Sequence, residues 1–232
     1  MLVIVDKRSP QKTIENLKKL FQDVFLFESS GITYNSISCH PDIFIYYDNN
    51  NIIISPNSPK PLINKLENSN INYVFGYNSI NEVLTKSVLY NCVSNNKYLI
   101  HKNGYTDKKI LELNETKFFI SVPQAFTRCS LLSLDEKNYI TSDLGIKKVF
   151  ETLSLNCFYF EPSQIKIIDH KNGLFGGTCG IYNNTIYFNG NILLHKDGKN
   201  IEKLIESLGF NIVCLNNDYL YDGGGILFLE NN

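Results

Sequence analysis

A short apolar strand, a turn, an amphipathic helix and a second apolar strand recur five times along this chain. The copies are LVIVDKRSPQKTIENLKKLFQDVFLF, NIIISPNSPKPLINKLENSNINYVFG, KYLIHKNGYTDKKILELNETKFFIS, NYITSDLGIKKVFETLSLNCFYF and TIYFNGNILLHKDGKNIEKLIESLGFNIVCL, beginning at Leu2, Asn51, Lys97, Asn138 and Thr185. A period of roughly 40 to 50 residues is that of propellers and solenoids, where each unit buries its apolar face on a neighbour.

Helical spacing supports the central segment of each copy. In the first, Ile14, Leu17, Leu20 and Phe21 share a face, with Lys12, Glu15, Lys18 and Lys19 largely elsewhere. Ser9 before Pro10 fits a helix cap followed by proline in the first turn. In the fifth, Ile201, Leu204, Ile205 and Leu208 form the stripe, and Gly209 is a natural stop. Each helix has one apolar stripe and must lie against a sheet.

Between copies the chain has a linker and one further strand, turned tightly into the next copy. DIFIYYDNNNIIIS reads as strand 43–47, a turn over 48–51 and strand 52–55. CSLLSLDEKNYIT and the shorter CVSNNKYLI read the same way, as does CGIYNNTIYFNG, which turns at Asn183-Asn184. A fifth hairpin should start at GGGILFLENN, but no second strand follows it. LVIVDKR, at the other end, has the slot of that missing strand. Pairing 226–229 with 2–5 would remove an exposed edge. The expectation is therefore an α/β propeller of five ββαβ units, a single domain over 1–232, its ring closed by the two terminal strands. The alternative is a generic α/β domain with chance similarity of lengths.

The balance of 22 basic against 23 acidic residues, with no dense basic run, argues against a broad nucleic-acid footprint. The apolar run before Asp6 is too short for a signal-peptide core, and no segment approaches a membrane span. The expected location is cytoplasmic, with reduced thiols. The six cysteines form no CxxC pair.

A ring of five ββαβ units resembles the pentein, or guanidino-group-modifying enzyme (GME), fold. That fold includes arginine and agmatine deiminases, dimethylarginine dimethylaminohydrolases, amidinotransferases and the non-enzymatic translation initiation factor six of eukaryotic type. The architecture covers essentially the whole chain, which is most similar to a small bacterial family of this fold with unknown function. The resemblance implies a site at the ring axis, where linkers entering the first hairpin strands converge. There a Cys attacks the guanidinium carbon, a His moves protons and carboxylates hold the substrate nitrogens. The thiolate needs a base or cationic surroundings.

By repeat position the axis segments are SCHPD (38–42), YNCVS (90–94), TRCSL (127–131), FGGTCG (175–180) and YDGGG (221–225). Four cysteines fall in them: Cys39, Cys92, Cys129 and Cys179. Cys157 and Cys214 lie in apolar strands and read as small buried hydrophobes. A packed axis also favours small residues at strand starts, which would place cysteines there without chemistry. His40-Pro41-Asp42 resembles the His-x-Asp motif of deiminases, though in the first linker; structurally, His40 would cap a strand that Asp42 starts. The glycines at 176–177 and 223–225 let backbones crowd together, since they lack Cβ. Where agmatine deiminase-like members place the nucleophile, in the last unit, this chain has Ile-Leu-Phe-Leu.

Three functions follow. The first is a hydrolase or transferase of a guanidino or related small polar compound. An axis cysteine (Cys92, Cys129 or Cys179) would be its nucleophile, His40 its acid/base, and Asp42 and Asp222 its cation binders, with Arg128 lowering a thiol pKa or binding an anion. The second is an inactive pentein that binds a small molecule, a protein or the ribosome. The third is zinc on soft axis ligands, but no metal-ligand spacing is present, and neither metal nor cofactor is expected. No GxSxG, P-loop or Rossmann motif occurs. His101, His170 and His195 sit in polar turns and are expected to be solvated.

Overall fold

Apolar runs of three to five residues cannot shield both faces alone, so each copy pairs its strands and lays its helix on a neighbour. The computed structural model describes residues 1–48 and 50–230; Asn49, in the expected 48–51 turn, and Asn231 and Asn232 lie outside the described residues. The chain opens with β1 (Leu2–Asp6), α1 (Gln11–Leu20) and β2 (Val24–Phe27). The helical turn α2 (Pro41–Phe44) leads to β3 (Ile45–Tyr47), β4 (Ile52–Ile54), α3 (Lys60–Asn68) and β5 (Val74–Phe75). The third group is α4 (Leu84–Ser87), β6 (Val93–Ser94), β7 (Tyr98–His101), α5 (Lys108–Leu113) and β8 (Phe118–Ser121). The fourth is α6 (Thr127–Ser130), β9 (Leu131–Ser133), β10 (Asn138–Thr141), α7 (Leu144–Thr152) and β11 (Asn156–Tyr159). The fifth is β12 (Cys179–Tyr182), β13 (Thr185–Phe188), α8 (Gly198–Ser207) and β14 (Asn211–Cys214), after which β15 (Leu227–Leu229) follows.

These strands form five separate three-stranded sheets, ordered β15-β1-β2, β3-β4-β5, β6-β7-β8, β9-β10-β11 and β12-β13-β14. In each, the first pair is antiparallel and the second parallel. A parallel pair needs a long crossover, which the helix supplies. The terminal strands pair as expected, Leu2 with Leu229, Val3 with Phe228 and Ile4 with Leu227. Among the described residues no sheet runs on from one unit into the next. Instead, consecutive sheets share apolar cores. One core joins the first three sheets through Ile4, Ile53 and Leu99. Another joins the third and fourth through Ile100 and Tyr139, and a third the fourth and fifth through Ile140 and Ile186. The last joins the fifth to the first, with Val3 and Phe228 against Tyr187 and Val213.

Several local expectations change. The cap of α1 is Pro10 and makes no side-chain bond; the Ser9 hydroxyl instead accepts from Asn189 Nδ2 at 2.9 Å, because Ser9 is buried beside the fifth unit. Leu20 is 55% exposed, since α1 presents only Thr13, Ile14 and Leu17 to the core. The strand expected at 43–47 starts only at Ile45, because residues 41–44 are helical: Pro41 has no N–H for a ladder and starts a turn readily. Cys214 is half-buried rather than buried, whereas Cys157 is buried. Gly209, at φ +82°, ends α8, and Asn183 and Asn184 both take positive φ in the β12–β13 turn. No helix among the described residues is long and apolar enough to cross a membrane.

Candidate functional site

The five linkers touch one another in succession. Asn91 Nδ2 donates to the Asp42 carbonyl at 3.4 Å, and the Arg128 N–H reaches the Asn91 carbonyl at 3.1 Å. Arg128 in turn donates through Nη1 to the Gly176 carbonyl at 2.6 Å and through Nη2 to the Cys179 carbonyl at 3.1 Å. The N–H groups of Gly223 and Gly225 donate to Gly177. Gly224 then lies against His40: a Cβ there would stand 2.4 Å from His40 Cβ and 2.8 Å from its Cα. Asp42 and Cys129 are buried within the short helical turns α2 and α6, which lead directly into β3 and β9.

The centre of this cluster is Cys129. Its Sγ donates to Asp42 Oδ2 at 3.0 Å, and the donor atoms of His40, Asp42 and Cys129 lie within 4.8 Å of one another. All three side chains are buried. Neither His40 ring nitrogen has a hydrogen-bond partner, nor has Asp42 Oδ1. Such orphaned buried atoms are costly and mark places where a ligand or water completes the bonding. His40 Nε2 stands 3.8 Å from Asp6 Oδ2, and the Asp222 backbone faces the ring without closing a hydrogen bond.

Burial dominates the electrostatics. It pushes Asp42 up to about 6, against the opposing pull of Arg128, and Asp222 up to about 7, although the N–H groups of Gly224 and Leu174 donate to its carboxylate. Asp6 rises to about 6, with Arg8 offsetting part of the effect. His40 falls to about 3, so its ring is neutral. The Cys129 thiol is held well above its usual value by burial and by Asp42. At rest the sulfur therefore keeps its proton and shares it with the Asp42 carboxylate.

Of the expected site residues, His40, Asp42, Arg128, Cys129 and Asp222 come together here. Cys92 sits in the apolar core of the first three sheets. Cys179 sits in the core between the fourth and fifth, its thiol pushed up to about 12 by burial. Cys39 is buried beside Ser38. His170 lies at the surface, bonded to Ser36. His101 and His195 are not solvated. His101 is fully buried, donating to the Ala125 carbonyl and accepting from the Thr106 hydroxyl. His195 stacks on Phe160 and accepts from the Asp197 N–H. His101 is the last residue of strand β7 rather than part of a turn, and His195 follows a short helical turn; their rings meet buried backbone or aromatic partners.

Sequence reasoning passed over Asn91, whose fully buried amide bonds to residues of two other linkers. The available signal was its place beside Cys92 in an axis segment. It also passed over the cavity. A pocket of about 690 Å³ meets the cluster at Asp42 and Arg128 and is also lined by Cys92, Tyr47, Ser94, Asp135 and Lys137, with Cys129 and His40 behind its wall.

Residues 4–227 match the profile of a family described as of unknown function, DUF6873. The chain belongs to that family. No curated protein matches the sequence. The DUF6873 chain is nonetheless similar in structure to SxtG, an amidinotransferase from Microseira wollei in the saxitoxin biosynthetic pathway. The identity is 8% and the TM-score 0.55, over 99% of this chain and 94% of that one. It is similar to DDAH from Pseudomonas aeruginosa, a mutant complexed with citrulline, with 9% identity and TM-score 0.54 over 96% and 91% of the chains. Against the C. jejuni agmatine deiminase the identity is 11% and the TM-score 0.54, over 92% and 75%. At such identities the likeness is one of fold, and the fold is that of the penteins.

Proposed function

We propose that this DUF6873 protein is a thiol-dependent hydrolase or transferase of a guanidino or related small polar compound, with Cys129 as nucleophile. The observation that carries the reading is the buried Cys129–Asp42 bond at 3.0 Å beside a neutral His40 with two unpartnered nitrogens. Asp42 and Asp222 would hold the substrate cation, and Arg128 would fix the pocket wall between them. The cyclic order of linker contacts supports the five sheets as blades of one closed α/β propeller, a single domain with the cluster at its axis.

A cation entering beside Asp42 and Asp222 favours their ionised forms and that of the nearby thiol. The thiol proton passes to Asp42 as Sγ bonds to the amidine carbon. The carbon–nitrogen bond then breaks, the leaving nitrogen taking a proton shuttled by His40. Water or an amine adds to the same carbon, the carbon–sulfur bond breaks and the thiol is restored. Turnover is expected with at least one of agmatine, arginine, dimethylarginine or an amidine analogue, followed by ammonia or amine release. Cys129→Ser should abolish it, and Cys92→Ser and Cys179→Ser should not. Chloroacetamidine should label Cys129 selectively. Binding of these compounds without turnover or labelling would point to an inactive pentein. Stoichiometric zinc in the purified protein would also displace this reading.

A further inference from the structure

We infer that Asn91 is a positioning residue for Cys129, orienting its sulfur and supplying a hydrogen bond that favours the thiolate. The inference rests on Cys129 as the reactive thiol and concerns a residue to which the family resemblance gives no role. Asn91 is fully buried in the second linker. Its Oδ1 accepts from the Arg128 N–H at 2.9 Å and from the Cys129 N–H at 3.3 Å. Its Nδ2 donates to Cys129 Sγ at 3.5 Å and to the Asp42 carbonyl at 3.4 Å. One planar amide thus fixes the backbone carrying the thiol, the thiol itself and the backbone carrying the thiol's proton acceptor.

The geometry has a chemical consequence. Asp42 and Asp222 both disfavour a charged sulfur, whereas the Asn91 donor favours it. A hydrogen bond to a charged acceptor is stronger than one to a neutral acceptor, so the Asn91 bond strengthens as the proton leaves Sγ. An aspartate in its place would keep the two backbone acceptor bonds and lose the donor. A leucine would lose both, though the Arg128 N–H would still reach the Asn91 carbonyl, a backbone atom that survives substitution.

The test compares wild type, Asn91→Asp and Asn91→Leu by the rate at which iodoacetamide alkylates Cys129 between pH 6 and 10. In this reaction Sγ displaces iodide, the thiol proton going to Asp42 or solvent. Because the resting thiol is held well above its usual range, the rate rises with pH across this window, and both variants should lie about tenfold below wild type throughout it, equivalent to a displacement of the profile by about one pH unit. With an active substrate, kcat should fall similarly and KM change little. Thermal melting reports folding separately; because Asn91→Asp also adds a carboxylate beside the sulfur, the uncharged Asn91→Leu decides the outcome, and Asn91→Ala serves if it fails to fold. A merely structural asparagine would shift melting and leave the alkylation profile in place, and that result overturns the inference. A shifted profile in a protein that turns over no guanidino compound would retain Asn91's role and discard the proposed activity. An unreactive wild-type Cys129 would remove both.

Discussion

At the residue scale, close approach of backbones explains the glycines better than chain flexibility does. Gly224 has φ +68° and no room for a Cβ beside His40 and Asp42. Gly177 is similarly crowded, with the Asp222 carboxylate where its Cβ would stand. Gly224→Ala should therefore lower stability by more than about 2 kcal/mol, since both a left-handed backbone and a backbone clash must be relieved. Urea denaturation measures this directly; a loss below that of an ordinary surface substitution would show the linkers to be loosely packed. The same crowding brings His40, Asp42 and Cys129 together. His40-Pro41-Asp42 was legible as a candidate because both chemical groups lie in three residues. The choice of Cys129 over Cys92 and Cys179 was not, because all three occupy equivalent positions in their units. Only the packing of each linker distinguishes a sulfur facing a carboxylate from one facing Ile or Phe.

At the scale of the elements, the repeat was legible because the strand and helix periods differ and each copy repeats their order. The hairpin turn at Asn183-Asn184 and the stop at Gly209 follow from residues that tolerate positive φ. The expected strand at 43–47 was shortened because Pro41 imposes helical geometry on the turn before it. Leu20 was placed in the core by spacing alone, yet α1 ends there and its last turn faces outward. The pairing of β15 with β1 matters most among these elements. Leu227, Phe228 and Leu229 are buried, and without them β1 has one unpaired edge. Deleting residues 227–230 should abolish the cooperative thermal transition seen by circular dichroism or leave a protein that aggregates. An unchanged melting temperature would show that this strand adds nothing to the fold.

Across the whole molecule, linkers from five units converge and bury several ionisable groups together. Burial therefore governs how stability responds to pH. Asp222 is pushed up to about 7, above its unfolded value of 3.8, so its contribution is fully present below the unfolded value and lost as pH rises through about 7. Asp6 and Asp42, at about 6, behave likewise at slightly lower pH. His40 and His101 act in the opposite sense, at about 3 and about 4 against 6.5 unfolded. Their contribution is present above 6.5 and lost as pH falls. Between pH 6.5 and 8 the carboxyl effect lowers stability by on the order of 1 kcal/mol, while the unfolded histidines, still half protonated at 6.5, lose their protons and offset much of that fall. Melting temperatures across that window, compared with Asp222→Asn, provide the check. Relative to wild type, the variant should gain stability as pH rises through about 7, and equal pH slopes in the two proteins would refute the account.

The sequence by itself determined the five-fold repeat, the helix faces, the hairpins and the pairing of the two ends. These follow from periodicity and turn chemistry, which act over a few residues. It also marked the five segments that converge, because their positions recur in each copy. Only the tertiary structure decided which cysteine meets Asp42 and His40, that Asn91 ties them together, and that His101 and His195 are buried. Those outcomes depend chiefly on contacts between residues tens of positions apart, and on a balance of burial against charge that exists only once the linkers have packed.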